Sequence, residues 1–530
     1  MGKGVGRRLA AGVVAYAALC GPAAGAAQEP VVTAATQITP DLNPVRGHST
    51  PQIASNPRTG ELVAVESDPR SATRSCAVHV STDRGRSWFV AGDPMVKPFT
   101  DCSFYAEYGP YATLAFGRDG TLYVAFVASE PLNRIRNETP RNVFLARSED
   151  SGRTFETTTV FKAPDGNQDR GLNKGPMLAV DPRAPARLYV GWRQGIFATN
   201  AVEKLKTNIA ASADGGRHYG DPVDVSDERG GDYPAIAVDG DGTVHAVYWT
   251  RTGVASAPAP ATPPVRPLQY VRSTDRGRTF TKPEPIDPGN QRADRPPLLV
   301  ADPKSGALYM VWYANAEANN MAQGFRGDLE IFFRASDDGG RSWGDRVTLN
   351  DDKGASKVHQ SDPGISLAPN GRIDIAWYDA RYTPVVDLST ATEKGFQDVF
   401  YTSSADGGRT FTPNVRITDR SIDRSIGLWS NNVDSHYNVG IASADDAVFF
   451  AWQDSRNGNA QTNAEDVYVA ALEIEGSVVE ASSSSMPWGL MALGVALGLG
   501  VGMTAIVLFS RRSGTAPRPV PAPSATAVKR

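Results

Sequence analysis

Histidines, carboxylates and a tyrosine that could bind a ligand recur in three short segments of the chain. His48, His359 and His436 each stand just before a short apolar run, and they make up half of the six histidines present. The segments around residues 359 and 436 add three further groups: Asp362, Asp434 and Tyr437. Imidazole beside carboxylate suits zinc or a related divalent ion, and the same groups also hydrogen-bond polar ligands. Their convergence depends on the fold, because the segments are far apart in sequence.

Arginines are the second set of residues that could do chemistry. After a second apolar run, the same three units carry an Asp-x-Arg triplet: Asp68-Pro69-Arg70, Asp379-Ala380-Arg381 and Asp454-Ser455-Arg456. Arg46 precedes the first histidine. A guanidinium group binds a carboxylate through two parallel hydrogen bonds, and a carboxyl group can protonate a leaving oxygen. Equally, each triplet could form a local ion pair, and its recurrence in three units favours that scaffolding interpretation for any single pair.

The elements that must position these residues are marked by an eight-residue segment that occurs six times. It is found at 81–88, 148–155, 212–219, 273–280, 336–343 and 404–411, and these segments are called boxes below. Their aspartates are spaced 61 to 68 residues apart: Asp83, Asp150, Asp214, Asp275, Asp338 and Asp406. In each box the aspartate can bond backbone N–H groups of its own turn, the glycine permits positive φ, and the closing aromatic residue can be buried. Each box therefore predicts a turn anchored on a β-sheet core.

The six boxes resemble the Asp-box (bacterial neuraminidase, BNR) repeats of sialidase-like β-propellers. The resemblance implies an all-β propeller of four-stranded blades, a fold shared by sialidases, other glycosidases and sortilin-like receptors. By position, it would make Arg46 a substrate-binding arginine, Asp68 the acid/base and Tyr437 the nucleophile of a sialidase. Arg292, Arg295 and Glu228 are the candidates for the remaining roles. The Arg-Ile-Pro phrase of the family is here Arg46-Gly47-His48.

The repeat predicts seven blades, although sialidases close with six. A seventh unit lacks a box but keeps three β-type runs at 439–442, 447–452 and 466–472, and the N-terminal run at 31–38 can supply its fourth strand. Pairing of the two chain ends would close the ring and cover the free sheet edges. The site is then expected on the face opposite the boxes, near the axis, with blades 1, 6 and 7 as neighbours. Five tryptophans close second strands and predict packing between blades: Trp192, Trp249, Trp312, Trp377 and Trp452.

The two ends of the chain predict export and membrane anchoring. Residues 1–27 read as a signal peptide, 28–476 as the propeller and 477–485 as a Ser-rich spacer. Residues 486–509 are uncharged and long enough to span a bilayer, and the arginines that follow place the tail, 510–530, in the cytoplasm. Gly494, Gly498 and Gly502 share one face of that helix and could support a homodimer.

Charge and cysteine content narrow the function further. The formal net charge of −4 gives no reason to expect nucleic acid. Cys76 and Cys102 would remain after signal removal and predict one disulfide in an exported domain. The sequence requires no cofactor, with a divalent metal at His48, His359 and His436 as an alternative. The function predicted is binding of a glycan or protein ligand outside the cytoplasm; the alternatives are an exo-α-sialidase or related glycoside hydrolase, and a metal-dependent site at blades 1, 6 and 7.

Overall fold

The computed structural model describes residues 31–67, 76–95, 112–128, 141–163, 172–198, 201–250, 267–287, 296–315, 329–352, 359–383, 395–427 and 438–474. Within these ranges every regular element is a β-strand, and no helix is long and apolar enough to cross a membrane. The predicted signal peptide, spacer, anchor and tail lie outside them, as does Cys102. Cys76 is buried at the start of a strand, and its pairing stays a prediction.

The strands form seven antiparallel sheets. Two short strands come first in the chain: β1 (Val31–Val32) and β2 (Thr36–Gln37). Blade 1 contains β3 (Ser49–Ser55), β4 (Leu62–Ser67), β5 (Cys76–Ser81) and β6 (Phe89–Val90). Blade 2 contains β7 (Ala112–Phe116), β8 (Leu122–Ala128), β9 (Asn142–Ser148) and β10 (Glu156–Phe161). Blade 3 contains β11 (Leu172–Val180), β12 (Leu188–Ala198), β13 (Ala201–Ser212) and β14 (Val223–Asp224).

The remaining sheets repeat this order from the inner strand outwards. Blade 4 contains β15 (Ala235–Val238), β16 (Val244–Trp249), β17 (Leu268–Ser273) and β18 (Glu284–Asp287). Blade 5 contains β19 (Leu298–Ala301), β20 (Leu308–Asn315), β21 (Leu329–Ser336) and β22 (Val347–Thr348). Blade 6 contains β23 (Gln360–Leu367), β24 (Ile373–Asp379), β25 (Phe396–Ser404) and β26 (Val415–Arg416), with β27 (Ile422–Asp423) added to β25. Blade 7 contains β28 (Gly440–Ser443), β29 (Ala447–Asp454) and β30 (Asp466–Glu473).

The N-terminal strands complete blade 7 and close the ring. Val31 pairs with Glu473 and Val32 with Leu472, and β2 pairs with the same strand nearer its start, Thr36 opposite Val469. Each inner strand contacts the next around the axis, including β28 with β3. The predicted seven-bladed fold and its closure by residues 31–38 are therefore confirmed, and the six-bladed alternative is wrong.

Large aromatic side chains fill the space between blades, as predicted. Trp192, Trp312, Trp377 and Trp452 are fully buried in clusters that each combine two neighbouring sheets. Trp249 differs from the other four. Leu188 in β12 and Val244 in β16 each pair with the serine of their own box. Trp192 lies four residues after Leu188, and the residue four after Val244 is Tyr248. Trp249 thus points to the other side of its sheet, towards blade 5, and is also buried.

The boxes form one turn with the same hydrogen bonds each time. In the last box the Ser404 hydroxyl accepts from the Gly408 N–H (2.8 Å) and donates to Asp406 (2.8 Å). The Asp406 carboxylate accepts the backbone N–H (2.9 Å) and hydroxyl (2.6 Å) of Thr410. In the third box His218 replaces this hydroxyl, with its Nδ1 2.6 Å from Asp214. The box aspartates are half-exposed, and they are held by bonds within their own turns.

Box glycines press against the preceding blade. Gly340 has φ +78°, and a Cβ atom there would lie 1.9 Å from the Tyr270 hydroxyl of blade 4. Blade 7 has no box, and a buried arginine occupies the corresponding interface with blade 6. Arg372 pairs with Asp374 (2.8 Å) and donates to the carbonyls of Ala444 (2.8 Å) and Asp445 (2.9 Å) in the turn of blade 7. Arg372 thereby takes over the joining role that a box has elsewhere.

Candidate functional site

The face opposite the boxes is called the loop face. It carries the loops that lead from an outer strand to the next inner strand, and the loops between second and third strands. The described candidates of two of the segments, His48, His359 and Asp362, lie at this end of their strands, since Ser49 pairs with Ser67 and Gln360 with Asp379. Glu228 lies on the same face between blades 3 and 4, where it is exposed. Asp68, Arg70, Asp434, His436, Tyr437, Arg292 and Arg295 lie outside the described residues.

The loop that leads into blade 1 packs directly on blade 7. Gly47 forms a bridge with Glu465, and the His48 N–H donates to the Glu465 carbonyl (3.0 Å). Arg46 forms two hydrogen bonds with Asp466, at 2.5 Å and 2.7 Å, and this carboxylate raises the pKa of the guanidinium. Ring closure therefore brings Arg46 and His48 against blade 7, and the Arg46 guanidinium is occupied by a carboxylate.

The triplet of blade 6 forms an ion pair within its own strand end. Arg381 contacts Asp379 through Nε (3.0 Å) and Nη2 (2.8 Å), and Nη1 reaches Asp351 after blade 5 (2.7 Å). The Trp377 indole N–H donates to the same Asp379 (3.0 Å), and Arg381 stacks 4.0 Å over the ring of Phe400. The Arg381 guanidinium therefore joins blades 5 and 6.

The triplet of blade 7 repeats this arrangement. Arg456 pairs with Asp454 (2.7 Å) and with Asp419, which lies between β26 and β27 of blade 6 (2.7 Å). Trp452 donates to Asp454 (3.0 Å), and Arg456 lies 4.2 Å over the Tyr468 ring. Burial lowers the pKa of the Arg456 guanidinium, but the two carboxylates outweigh it and raise the pKa overall. Since both described triplets join neighbouring blades, the geometry favours the scaffolding interpretation for Arg381 and Arg456.

Blade 1 has a carboxylate where other blades have an aromatic residue. In the second strand of each of these blades, one residue pairs with the serine of the box, and in blade 1 Glu66 lies four residues after it. The residues at the same offset are Phe126 in blade 2 and Trp192 in blade 3. Glu66 is fully buried, and its Oε1 lies 3.2 Å from His48 Nδ1 and 3.4 Å from His79 Nε2. Burial would raise the pKa of Glu66, but the two imidazoles lower it to about 2. Glu66 is therefore ionised at neutral pH.

Three inner strands bulge where they reach the loop face. The register shifts at Thr50-Pro51, Gly175-Pro176 and Asp362-Pro363, and the residue before each proline has φ of 55°, 58° and 52°. Positive φ is costly for a β-branched residue such as Thr50, and strained bulges are enriched beside functional sites. Two of the three bulges are in blades 1 and 6, where sequence patterns placed the site.

A hydrogen-bonded network of five residues connects blades 6, 7 and 1, and it is called the three-blade network. The Gln453 N–H donates to the Tyr378 hydroxyl (3.1 Å), and its side-chain oxygen accepts from the Thr50 N–H (3.0 Å). Its amide nitrogen donates to Glu465 (3.5 Å), and the Thr50 hydroxyl lies 3.1 Å from that of Ser67. All five residues are buried. The network holds the loop-face ends of blades 6, 7 and 1 together.

The metal hypothesis needs His436, which lies outside the described residues, and it stays a prediction. Within them, no group of three or more histidine, cysteine, aspartate or glutamate side chains is arranged to hold a metal ion. His359 is half-buried, and its carbonyl accepts the Ala380 N–H (3.0 Å). Asp362 is buried, and its carbonyl accepts the Val439 N–H (3.1 Å).

Two exposed aromatic residues on the loop face were not singled out by the sequence. Tyr382, directly after the blade 6 triplet, is 59% exposed, and Phe396, at the start of β25, is 45% exposed. Glu66, Gln453 and Tyr378 were also missed. An alignment of the second strands would have revealed Glu66 because it breaks the aromatic pattern, whereas the exposure of Tyr382 has no sequence signal.

Comparisons with known proteins give distant matches to structures only. No protein-family model matches the chain, and no curated protein matches it. An α-L-arabinanase from Penicillium chrysogenum is 13% identical, with 84% of this chain and 99% of that chain covered and a TM-score of 0.42. A Hadza microbial sialidase is 14% identical (77% and 75% covered, TM-score 0.42), and a PL25 ulvan lyase is 12% identical (77% and 91% covered, TM-score 0.45). The seven-bladed architecture rests on the strand pairing described above.

Proposed function

We propose that this protein is an exported, membrane-anchored propeller that binds a glycan on its loop face, over blades 6, 7 and 1. Export and anchoring follow from the sequence of residues 1–27 and 486–509. The three-blade network carries the proposal for the site. Its five residues are buried and bonded to one another, so their part is to hold the loop-face ends of three blades in one fixed arrangement, on which the exposed side chains of that face bind the sugar.

The bulges support the same location. A residue held at positive φ within a strand persists only where the surrounding structure fixes it, and such positions cluster at ligand sites. Thr50 combines a φ of 55° with two contacts in the three-blade network, to Gln453 and Ser67. The strain at Thr50 is thus coupled to the polar groups that hold the three blades together at the proposed site.

Hydrolysis of the sialidase type is the alternative, and the arginine contacts count against it. That chemistry needs guanidinium groups that are open to a substrate carboxylate. Arg46, Arg381 and Arg456 instead pair with Asp466, Asp379 and Asp454. Glu66 does not suit a general acid, because its pKa of about 2 leaves it deprotonated at neutral pH.

The test uses the full-length chain purified in detergent, applied to a glycan array and to a fluorogenic sialoside. We expect saturable binding to at least one class of glycan and no release of the fluorophore. Gln453→Ala should weaken that binding by about tenfold because it disconnects the three blades. Ser87→Ala, in the first box on the opposite face, is the matched control and should leave binding unchanged.

Two results would contradict the proposal. The first is the absence of binding across the array, and the second is steady release of the fluorophore that survives purification to homogeneity. Thermal melting of each variant shows whether a loss of binding comes from unfolding.

A further inference from the structure

Tyr382 and Phe396 form a surface called the aromatic shelf. Three exposed aromatic residues occur among the described residues, and two of them are these neighbours on the loop face of blade 6. The Phe396 N–H donates to the Thr383 hydroxyl (3.0 Å), and that hydroxyl donates back to the Phe396 carbonyl. The backbone positions that carry the two rings are therefore tied to each other.

The shelf is built on rigid structure. Phe396 pairs with Asp423 of β27, the extra strand that widens blade 6 at this end. The centre of the Tyr382 ring lies 5.9 Å from the centre of the Phe400 ring and 5.6 Å from the guanidinium carbon of Arg416. Arg416 is itself fixed by Asp398 at 2.6 Å and 2.9 Å. Because Tyr382 is held by these contacts and remains 59% exposed, little further conformational entropy is lost when a ligand packs on it.

The size and surroundings of the shelf select the kind of ligand. Two partly exposed rings offer far less than the roughly 800 Å² per partner that a stable protein interface buries. The neighbouring groups are polar: Arg381, Asp351 and Asn414 form a hydrogen-bonded set beside it. Apolar rings with a polar rim match a sugar ring, which has an apolar C–H face and hydroxyl groups at its edge.

We propose that the aromatic shelf is an outer subsite that stacks a sugar ring of an oligosaccharide whose inner end lies over blades 7 and 1, above the buried three-blade network. This inference rests on the proposed function. The shelf lies at the second and third strands of blade 6, so one to two strand spacings of about 4.8 Å separate it from the inner strand. A single sugar at the mouth does not reach it, whereas a longer chain does.

The experiment measures affinity against chain length for the full-length protein in detergent. The probes are mono-, tri- and hexasaccharides of the cello, manno, xylo and malto series, together with sialyllactose. Tyr382→Ala and Phe396→Ala should each weaken hexasaccharide binding by about tenfold and leave monosaccharide binding unchanged. Tyr382→Phe keeps the ring and should bind within about twofold of the unaltered chain.

Phe89→Ala is the matched control. Phe89 is 44% exposed and lies under Arg153, with 5.5 Å from the guanidinium carbon to the ring centre, but it belongs to the outer strand of blade 1. Its removal should not change affinity for any probe. Unchanged hexasaccharide affinity in both shelf variants, or an equal loss for mono- and hexasaccharides, would overturn the shelf while leaving the proposed function intact. Failure of the unaltered chain to bind any probe would contradict both proposals.

Discussion

The two faces of the ring satisfy their polar groups in different ways. On the box face, each aspartate bonds the backbone and hydroxyl groups of its own turn, as Asp406 does with Thr410. On the loop face, polar groups connect different blades, as Gln453 does between Tyr378 and Thr50. The box aspartates stabilise single turns, whereas the loop-face network fixes the ends of three blades relative to one another. This contrast supports the proposal that function lies on the loop face, while blades are joined on both faces.

The largest effect is expected where the box face lacks a box. Arg372→Ala should lower the free energy of unfolding by about 3–5 kcal/mol, because it leaves the fully buried Asp374 without its charge partner. Urea denaturation measures the change. Arg409→Ala removes an ion pair in which both side chains are 72% exposed. It should change the free energy of unfolding by less than about 0.5 kcal/mol. Equal losses in the two variants would show that Arg372 does not replace a box.

The buried carboxylate of the loop face should give a distinct dependence of stability on pH. The folded chain lowers the pKa of Glu66 from 4.5 to about 2. The charged form therefore stabilises the fold above pH 4.5, and this contribution, roughly 3 kcal/mol, is lost as the pH falls towards 2. The stability difference between the unaltered chain and Glu66→Gln should shrink over that range. A difference that is constant with pH would mean that His48 and His79 do not hold the carboxylate in its charged form.

A smaller effect should separate two adjacent box glycines. Gly339 and Gly340 both have positive φ, but only a Cβ at Gly340 would meet Tyr270, at 1.9 Å, while the nearest atom to Gly339 is Arg341 Nη1 at 3.9 Å. Gly339→Ala should cost about 1 kcal/mol from backbone strain alone. Gly340→Ala should cost about 2 kcal/mol more, because it overpacks the interface with blade 4. Thermal melting of the two variants tests whether the box joins neighbouring blades.

The architecture could be predicted because it is repeated, and much of the site could not. The box spacing, the three β-type runs of the seventh unit and the N-terminal run at 31–38 were sufficient for seven blades and their closure, since each copy strengthens the same pattern. The partners of Arg381 and Arg456 were only half foreseen. Each local aspartate is two residues away in sequence, but Asp351 and Asp419 become neighbours only through packing between blades. Trp249 packs between blades as predicted, but on the opposite side of its sheet from the other four tryptophans, because a one-residue offset in β16 reverses the direction of its side chain.

The residues that now define the loop face gave weaker signals. Glu66 breaks a pattern of aromatic residues that is visible only when the register of the second strands is known. Gln453 and Thr50 are 403 residues apart, and no local pattern links them. Tyr382 resembles any loop tyrosine in sequence, since its exposure depends on how β25 and β27 widen blade 6. Contacts across the ring closure and the exposure of side chains were thus outside the reach of sequence patterns.

The most direct test of function on the loop face is hydrogen–deuterium exchange of the full-length chain, with and without the tightest-binding glycan of the array. We predict slower exchange in segments 45–55, 378–383, 395–400 and 450–456, and no change in the six boxes. Protection of the boxes with none in the loop-face segments would contradict the account.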